Sequence, residues 1–140
     1  MKLLKFVILV LVVIVSVLIA VAQSDGLDSP TVVSAVAPAY PSIARAANAS
    51  GDTTVDVEVN REGKVTSVES KSGFPILRKA AEEAARRWLF LPACTNGIRK
   101  TRLTFSFRIV PAQSPASEGT SVYYPPYKIE ARTIEAIVNP

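Results

Sequence analysis

The run FPILRKAAEEAARRWLFLPA, residues 74–93, has the spacing of a helix that must be covered on one side. At about 100° per residue, Leu77, Ala80, Ala81, Ala84 and Trp88 form one apolar stripe. Arg78, Lys79, Glu82, Glu83 and Arg86 fall on the opposite face. Glu82–Arg86 and Glu83–Arg87 place acid before base at i,i+4, each pair worth roughly 0.2–0.5 kcal/mol on a helix. Pro75 suits the first turn, where no N–H is needed, and Pro92 marks the end. A face of alanines lets the helix lie close to a flat partner, so a sheet is expected beneath it.

The flanking segments can supply that sheet. In residues 53–60, Val55, Val57 and Val59 alternate with Asp56, Glu58 and Asn60, the pattern of a strand buried on one face. Asn60-Arg61-Glu62-Gly63 reads as a turn with Gly63 at positive φ. Residues 64–70 return as the second strand of a hairpin. Val65 and Val68 have opposite parity, so a bulge or an early exit from the strand is expected. Cys94-Thr95-Asn96-Gly97 is a further turn. In residues 99–110, Leu103, Phe105, Phe107 and Ile109 share a face against Thr104, Ser106 and Arg108. Upstream, Pro41 opens a short helix through Ala47. The expected fold is α+β: short helix, hairpin, helix and third strand, with the long helix on a three-stranded antiparallel sheet.

Composition excludes much. The 140 residues contain no histidine and one cysteine, Cys94. His-based triads, zinc and haem sites, an internal disulfide and Cys-based metal clusters are therefore unavailable. No catalytic residue, cofactor or metal ligand is expected, since Cys94 has no His to activate it. Cys94 itself reads as a small filler near Pro92. Of the net charge of +4, Lys2 and Lys5 supply two, leaving too little to argue for nucleic acid.

Residues 1–22 read as a cleaved export signal or a retained single membrane anchor. Lys2 and Lys5 precede an apolar run, and Ala20-Val21-Ala22 fits small-x-small cleavage. The run also approaches the roughly 17–25 residues that span a bilayer. Residues 23–36 form a short linker reaching at most about 50 Å. The domain occupies residues 37–110. Residues 111–140 are a Pro/Ser-rich linker followed by a tail, in which Pro125-Pro126 imposes extended backbone. Residues 127–133 are strand-like and can fold back beside residues 99–110, with Tyr127, Ile129 and Ala131 on one face. The plainer alternative is a frayed terminus.

These pieces together resemble the C-terminal domain of TonB-type energy transducers. The residues that carry the likeness are Pro38-Ala39-Tyr40-Pro41 with Ala44-Arg45, and Gly51 before the Val-alternating strand. They continue with Asn60-Arg61-Glu62-Gly63-Lys64-Val65, Ser72-Gly73, Ala80-Ala81, Trp88-Leu89-Phe90-Leu91-Pro92-Ala93, Asn96-Gly97 and the Phe105/Phe107 strand. The likeness covers about residues 37–110.

What the resemblance implies is a periplasmic module that grips an extended receptor segment as an added strand beside its last strand. A free strand edge carries the unpaired N–H and C=O groups such recognition needs. On that reading Arg102, Thr104, Ser106 and Arg108 frame the docked peptide, and Pro38, Tyr40 and Pro41 touch the receptor. The plainer readings are a Tyr40 ring packed on the domain edge and arginines that guard the edge against aggregation. Expected partners are an outer-membrane receptor segment or another envelope protein, with inner-membrane contact through residues 1–22. A structural homo-oligomer or envelope adaptor is the alternative. Full transducers carry a long Pro-rich spacer and a histidine in the anchor. This chain has residues 23–36 and Ser16 there, so fold and binding mode carry over better than energy transduction.

Overall fold

The computed structural model describes residues 1–8 and 29–135. Residues 2–8 are helical; most of the apolar run, on which the signal-or-anchor expectation falls, lies outside the described residues. Among the described residues, no helix is long and apolar enough to cross a membrane.

The alternating valines produce β2 (Gly51–Val59), with Val55, Val57 and Val59 buried. β2 pairs antiparallel with β3 (Val65–Ser70), and the register shifts between Glu58 and Val59, where the mixed parity of β3 called for a bulge. On its other side β2 pairs antiparallel with β5 (Arg99–Val110), in continuous register from Gly51↔Phe107 to Val59↔Arg99. Leu103, Phe105 and Phe107 are fully buried between this sheet and helix α2 (Pro75–Ala85), which contributes Leu77, Ala81, Ala84 and Ala85. The helix-on-antiparallel-sheet arrangement is thus the expected one. The short helix α1 (Ser42–Ala46) is also present, with Pro41 at its N-cap and Ala44 buried.

Helix α2 is shorter than its sequence pattern. It stops at Ala85, and Arg87 and Trp88 donate to Ala84 and Ala85 in tightened i→i−3 bonds. Residues after it leave to form β4 (Leu89–Phe90), which pairs with β1 (Val32–Ser34), a strand inside the stretch read as linker. Trp88 is therefore buried from beyond the helix end, not from its stripe. Glu82 is engaged by β3 instead of Arg86: the Ser70 hydroxyl donates to its Oε1 at 2.6 Å.

Past β5 the chain adds two strands. A 3-10 turn (Ala116–Gly119) leads to β6 (Val122–Tyr124) and β7 (Lys128–Ile134), giving a five-stranded sheet of order β3-β2-β5-β7-β6. β7 runs parallel to β5. Pro125, Pro126 and Tyr127 form the tight turn of the β6–β7 hairpin, not an extended spacer.

Cys94 is exposed, not a buried filler. Its loop (residues 94–97) is pinned from the side by Arg61, whose Nη1 donates to Asn96 Oδ1 at 2.8 Å. Because no core contact depends on the thiol, Cys94→Ser is expected to leave the unfolding midpoint and partner binding unchanged. A Cys94-linked dimer in native extracts that vanishes together with function in the serine variant would reverse that expectation.

Candidate functional site

β5 carries four of the candidate residues, Arg102, Thr104, Ser106 and Arg108, and its two edges differ. One edge is filled by β2. The other takes β7 from Thr104↔Lys128 through Val110↔Ile134. The Thr104 N–H donates to the Tyr127 carbonyl at 2.9 Å, and Glu135 N–H to the Val110 carbonyl at 2.8 Å. By strand alternation, even-numbered residues of β5 therefore direct their backbone groups toward β7. Those of Lys100 and Arg102 point the same way, short of where β7 begins.

On the helix side of this seam, Phe105 lies opposite Ile129 and Phe107 opposite Ala131. Ile129 and Ala131 are 3 % and 1 % exposed, so the tail contributes to the core and not merely to the surface. The Tyr127 hydroxyl donates to the Pro30 carbonyl at 2.8 Å, fastening the turn to the start of β1. Tyr123 of β6 meets Trp88 edge-on at 6.2 Å.

On the outer face the expected site residues are bound to β2. Arg102 makes a two-pronged bond to Asp56, Nε at 2.6 Å and Nη2 at 3.0 Å. Arg108 reaches Asp52 at 3.0 Å, and Lys100 reaches Glu58 at 2.9 Å. The hydrogen bond from Arg102 holds the Asp56 carboxyl below its ordinary pKa, against a smaller opposing effect of burial. These are exposed pairs, which hold geometry more than they add stability. Thr104 is half-buried. Ser106 is fully buried, its hydroxyl without a protein partner, between Asp52 of β2 and Glu130 of β7 in the register.

Pro38, Tyr40 and Pro41 lie apart from that face. Tyr40 stacks edge-on against Phe107 at 5.4 Å, on the helix side, and its hydroxyl donates to the Ala49 carbonyl at 2.6 Å. Burial pushes the phenol's pKa up, partly offset by Arg108. Pro38 is buried and lines a hollow of about 180 Å³ with Ala80, Glu83 and Arg87. The structure thus separates the seven residues: Arg102, Thr104, Ser106 and Arg108 lie on β5, Tyr40 reaches that strand only through Phe107, and Pro38 faces α2. The sequence reading did not single out Asp52 and Asp56, although both occupy outward positions of β2 opposite the basic parity of β5. It also did not anticipate Tyr123 against Trp88.

Among the described residues there is no cluster of three or more potential metal ligands. A second hollow, of about 420 Å³, opens over the outer face between Glu69 and Lys71 on one side and Lys100 and Arg102 on the other. Its charges are satisfied by one another.

Comparison with curated proteins gives no match. Among solved structures, the chain is similar to the solution NMR structure of the Pseudomonas aeruginosa TonB CTD, with 20% identity and a TM-score of 0.46. That similarity covers 60% of this chain and 88% of the other. The family model described as Gram-negative bacterial TonB protein C-terminal matches residues 36–109, from the segment before Pro38 to the end of β5. With more than half of its length matched, the chain belongs to the TonB C-terminal family, whose members serve transport in the bacterial cell envelope through protein–protein interaction.

Proposed function

We propose that the domain is a non-catalytic, periplasmic protein-binding module that recognises an extended peptide by strand addition at β5, in TonB-dependent transport. The observation that carries this reading is the pairing on β5 itself. The strand holds a seven-residue extended segment in parallel register, from Thr104 to Val110. Backbone bonds fix such a segment, and alternate side chains enter the core beside Phe105 and Phe107, which is how a strand-addition site divides affinity from specificity. Residues 1–22 deliver the domain across the inner membrane in this reading, whether they are then cleaved or kept as a tether. The partner is an extended segment of an outer-membrane receptor or of another envelope protein.

Ser106 offers the sharpest test. Its N–H points to the receiving edge, while its buried hydroxyl has no partner. Ser106→Ala removes an unsatisfied polar atom and is expected to change stability by less than about 1 kcal/mol, with binding intact. Ser106→Pro removes the ladder donor and is expected to weaken binding of a receptor-segment peptide at least tenfold in protein shown by circular dichroism to be folded. Equal binding by folded alanine and proline variants would move the site away from this edge.

A further inference from the structure

The segment that occupies the receiving edge of β5 lies beyond the matched family region, which ends at residue 109. It is also self-contained. Its ion pair, Arg132 Nε to Glu130 Oε1 at 2.6 Å, lies within β7. Lys128 sits over the Tyr124 ring at 5.7 Å, and the Tyr123 hydroxyl donates to the Pro126 carbonyl at 2.7 Å. The cations of β5 are equally self-sufficient with β2, through Asp52, Asp56 and Glu58. Among the described residues, no salt bridge joins the hairpin to the rest of the domain.

What does join them is mostly replaceable by another strand. It consists of a parallel backbone ladder, two inward side chains of modest size (Ile129 and Ala131), the edge contact of Tyr123 on Trp88, and one hydrogen bond from the half-buried Tyr127 to the Pro30 carbonyl. Large core groups such as Leu77, Trp88 and Phe105 all come from residues before the hairpin. Residues 111–121 link β5 to the hairpin outside the sheet, through a turn at Pro111–Ser114 and one 3-10 turn beside Ile134, so departure of the hairpin leaves the pairings of β3, β2 and β5 unbroken.

We propose that the β6–β7 hairpin is a displaceable, intramolecular occupant of the β5 edge. The tail holds the seat until an extended peptide of the same pattern exchanges with it. That pattern is parallel to β5, aliphatic then small at the two inward positions, and acidic between them, after Ile129-Glu130-Ala131. The proposal rests on the strand-addition reading. The tethered hairpin competes at a high effective concentration, so the apparent affinity of any peptide is lowered by the fraction of molecules in which the seat is open.

The test uses the full chain with a reversible lock. Thr104 and Lys128 are direct register partners on the outer face. T104C/K128C, made with C94S, should form a disulfide on oxidation, because adjacent strands bring Cα atoms within bonding range. The probe is a fluorescent synthetic peptide of residues 127–134. It is expected to bind the reduced protein and to lose at least tenfold in affinity when the lock closes. In the wild-type chain, hydrogen exchange should show the amides of Ile129 and Ala131 opening at least a hundredfold more readily than those of Val55 and Val57. Peptide binding that ignores the lock would refute displacement while leaving peptide recognition standing at another edge. Hairpin amides as protected as those of β2 would make the tail a permanent part of the core and end the proposal. A hairpin that opens freely, in a reduced protein that takes up no peptide, would overturn the strand-addition reading and the proposal together.

Discussion

Trp88→Ala is expected to destabilise the domain by about 3–5 kcal/mol, a large share of the roughly 5–15 kcal/mol that holds an ordinary domain folded. The side chain is completely buried. Its ring meets Phe105 edge-on at 5.9 Å, Phe90 at 6.2 Å and Tyr123 at 6.2 Å, so one residue ties β4, β5 and β6 together. Its Nε1–H donates to the Val36 carbonyl at 2.9 Å, across 52 residues of sequence, which fixes the irregular segment leading from β1 to Pro38 and Tyr40. Alanine opens a cavity and leaves that carbonyl without its partner. Trp88→Phe keeps most of the volume and loses the donor, and should cost about 1–3 kcal/mol. Urea unfolding followed by far-ultraviolet circular dichroism separates the two. An alanine variant within about 1 kcal/mol of wild type would show that the aromatic cluster is not the core's keystone.

The parts of this fold that were legible in sequence are those set by local periodicity. Val55, Val57 and Val59 alternate because β2 is covered on one face only, and Leu103, Phe105 and Phe107 do the same on β5. The extent of α2 was not legible. Residues 86–91 satisfy a helical pattern, yet Phe90 N–H donates to the Gly63 carbonyl and Leu91 N–H to the Thr31 carbonyl. Those acceptors are distant in sequence, and the pattern of the segment alone says nothing about them. The expected Glu82–Arg86 pair is lost to a distant partner as well: Arg86 keeps its helical bond to the Glu82 carbonyl, while the Glu82 carboxylate accepts from Ser70.

The tail shows the same division. Residues 127–133 announce a strand by composition, and Tyr127, Ile129 and Ala131 share the face expected of them. Pairing to β5 in parallel, with β6 folded outside it, depends on where the hairpin turn places the chain. Thr104, Ser106 and Arg108 were assigned to an outer face of β5 by parity, which the structure keeps for these residues. The partners of Arg108 and Arg102, Asp52 and Asp56, come from the register between β2 and β5, and that register is not visible in either strand separately. Tyr40 is a further case: its motif locates it near the domain edge, while only the fold brings its ring onto Phe107.

Gly63→Ala is expected to cost about 2–4 kcal/mol, far more than an exposed turn residue ordinarily would. Gly63 has φ of 84°, a conformation that costs an L-residue roughly 1–2 kcal/mol. The larger obstacle is steric. A Cβ there would run into the backbone carbonyl of Phe90, a group that cannot swing aside as a side chain can. That same Phe90 donates its N–H to the Gly63 carbonyl at 2.8 Å, and Lys64 bridges to Leu89, so the turn after β2 is sewn to β4. Pushing the two apart breaks this bond and strains the Val32↔Phe90 pairing of β1 with β4. The damage should concentrate there. Amides of Phe90 and Leu91 should lose protection in hydrogen exchange before those of β5 do. Gly97 supplies the control, since a Cβ there meets nothing within 4 Å. Gly97→Ala should therefore change stability by less than about 0.5 kcal/mol. If both alanine variants unfold at the same urea concentration as wild type, the close approach of the β2–β3 turn to β4 is not what holds this end of the domain together.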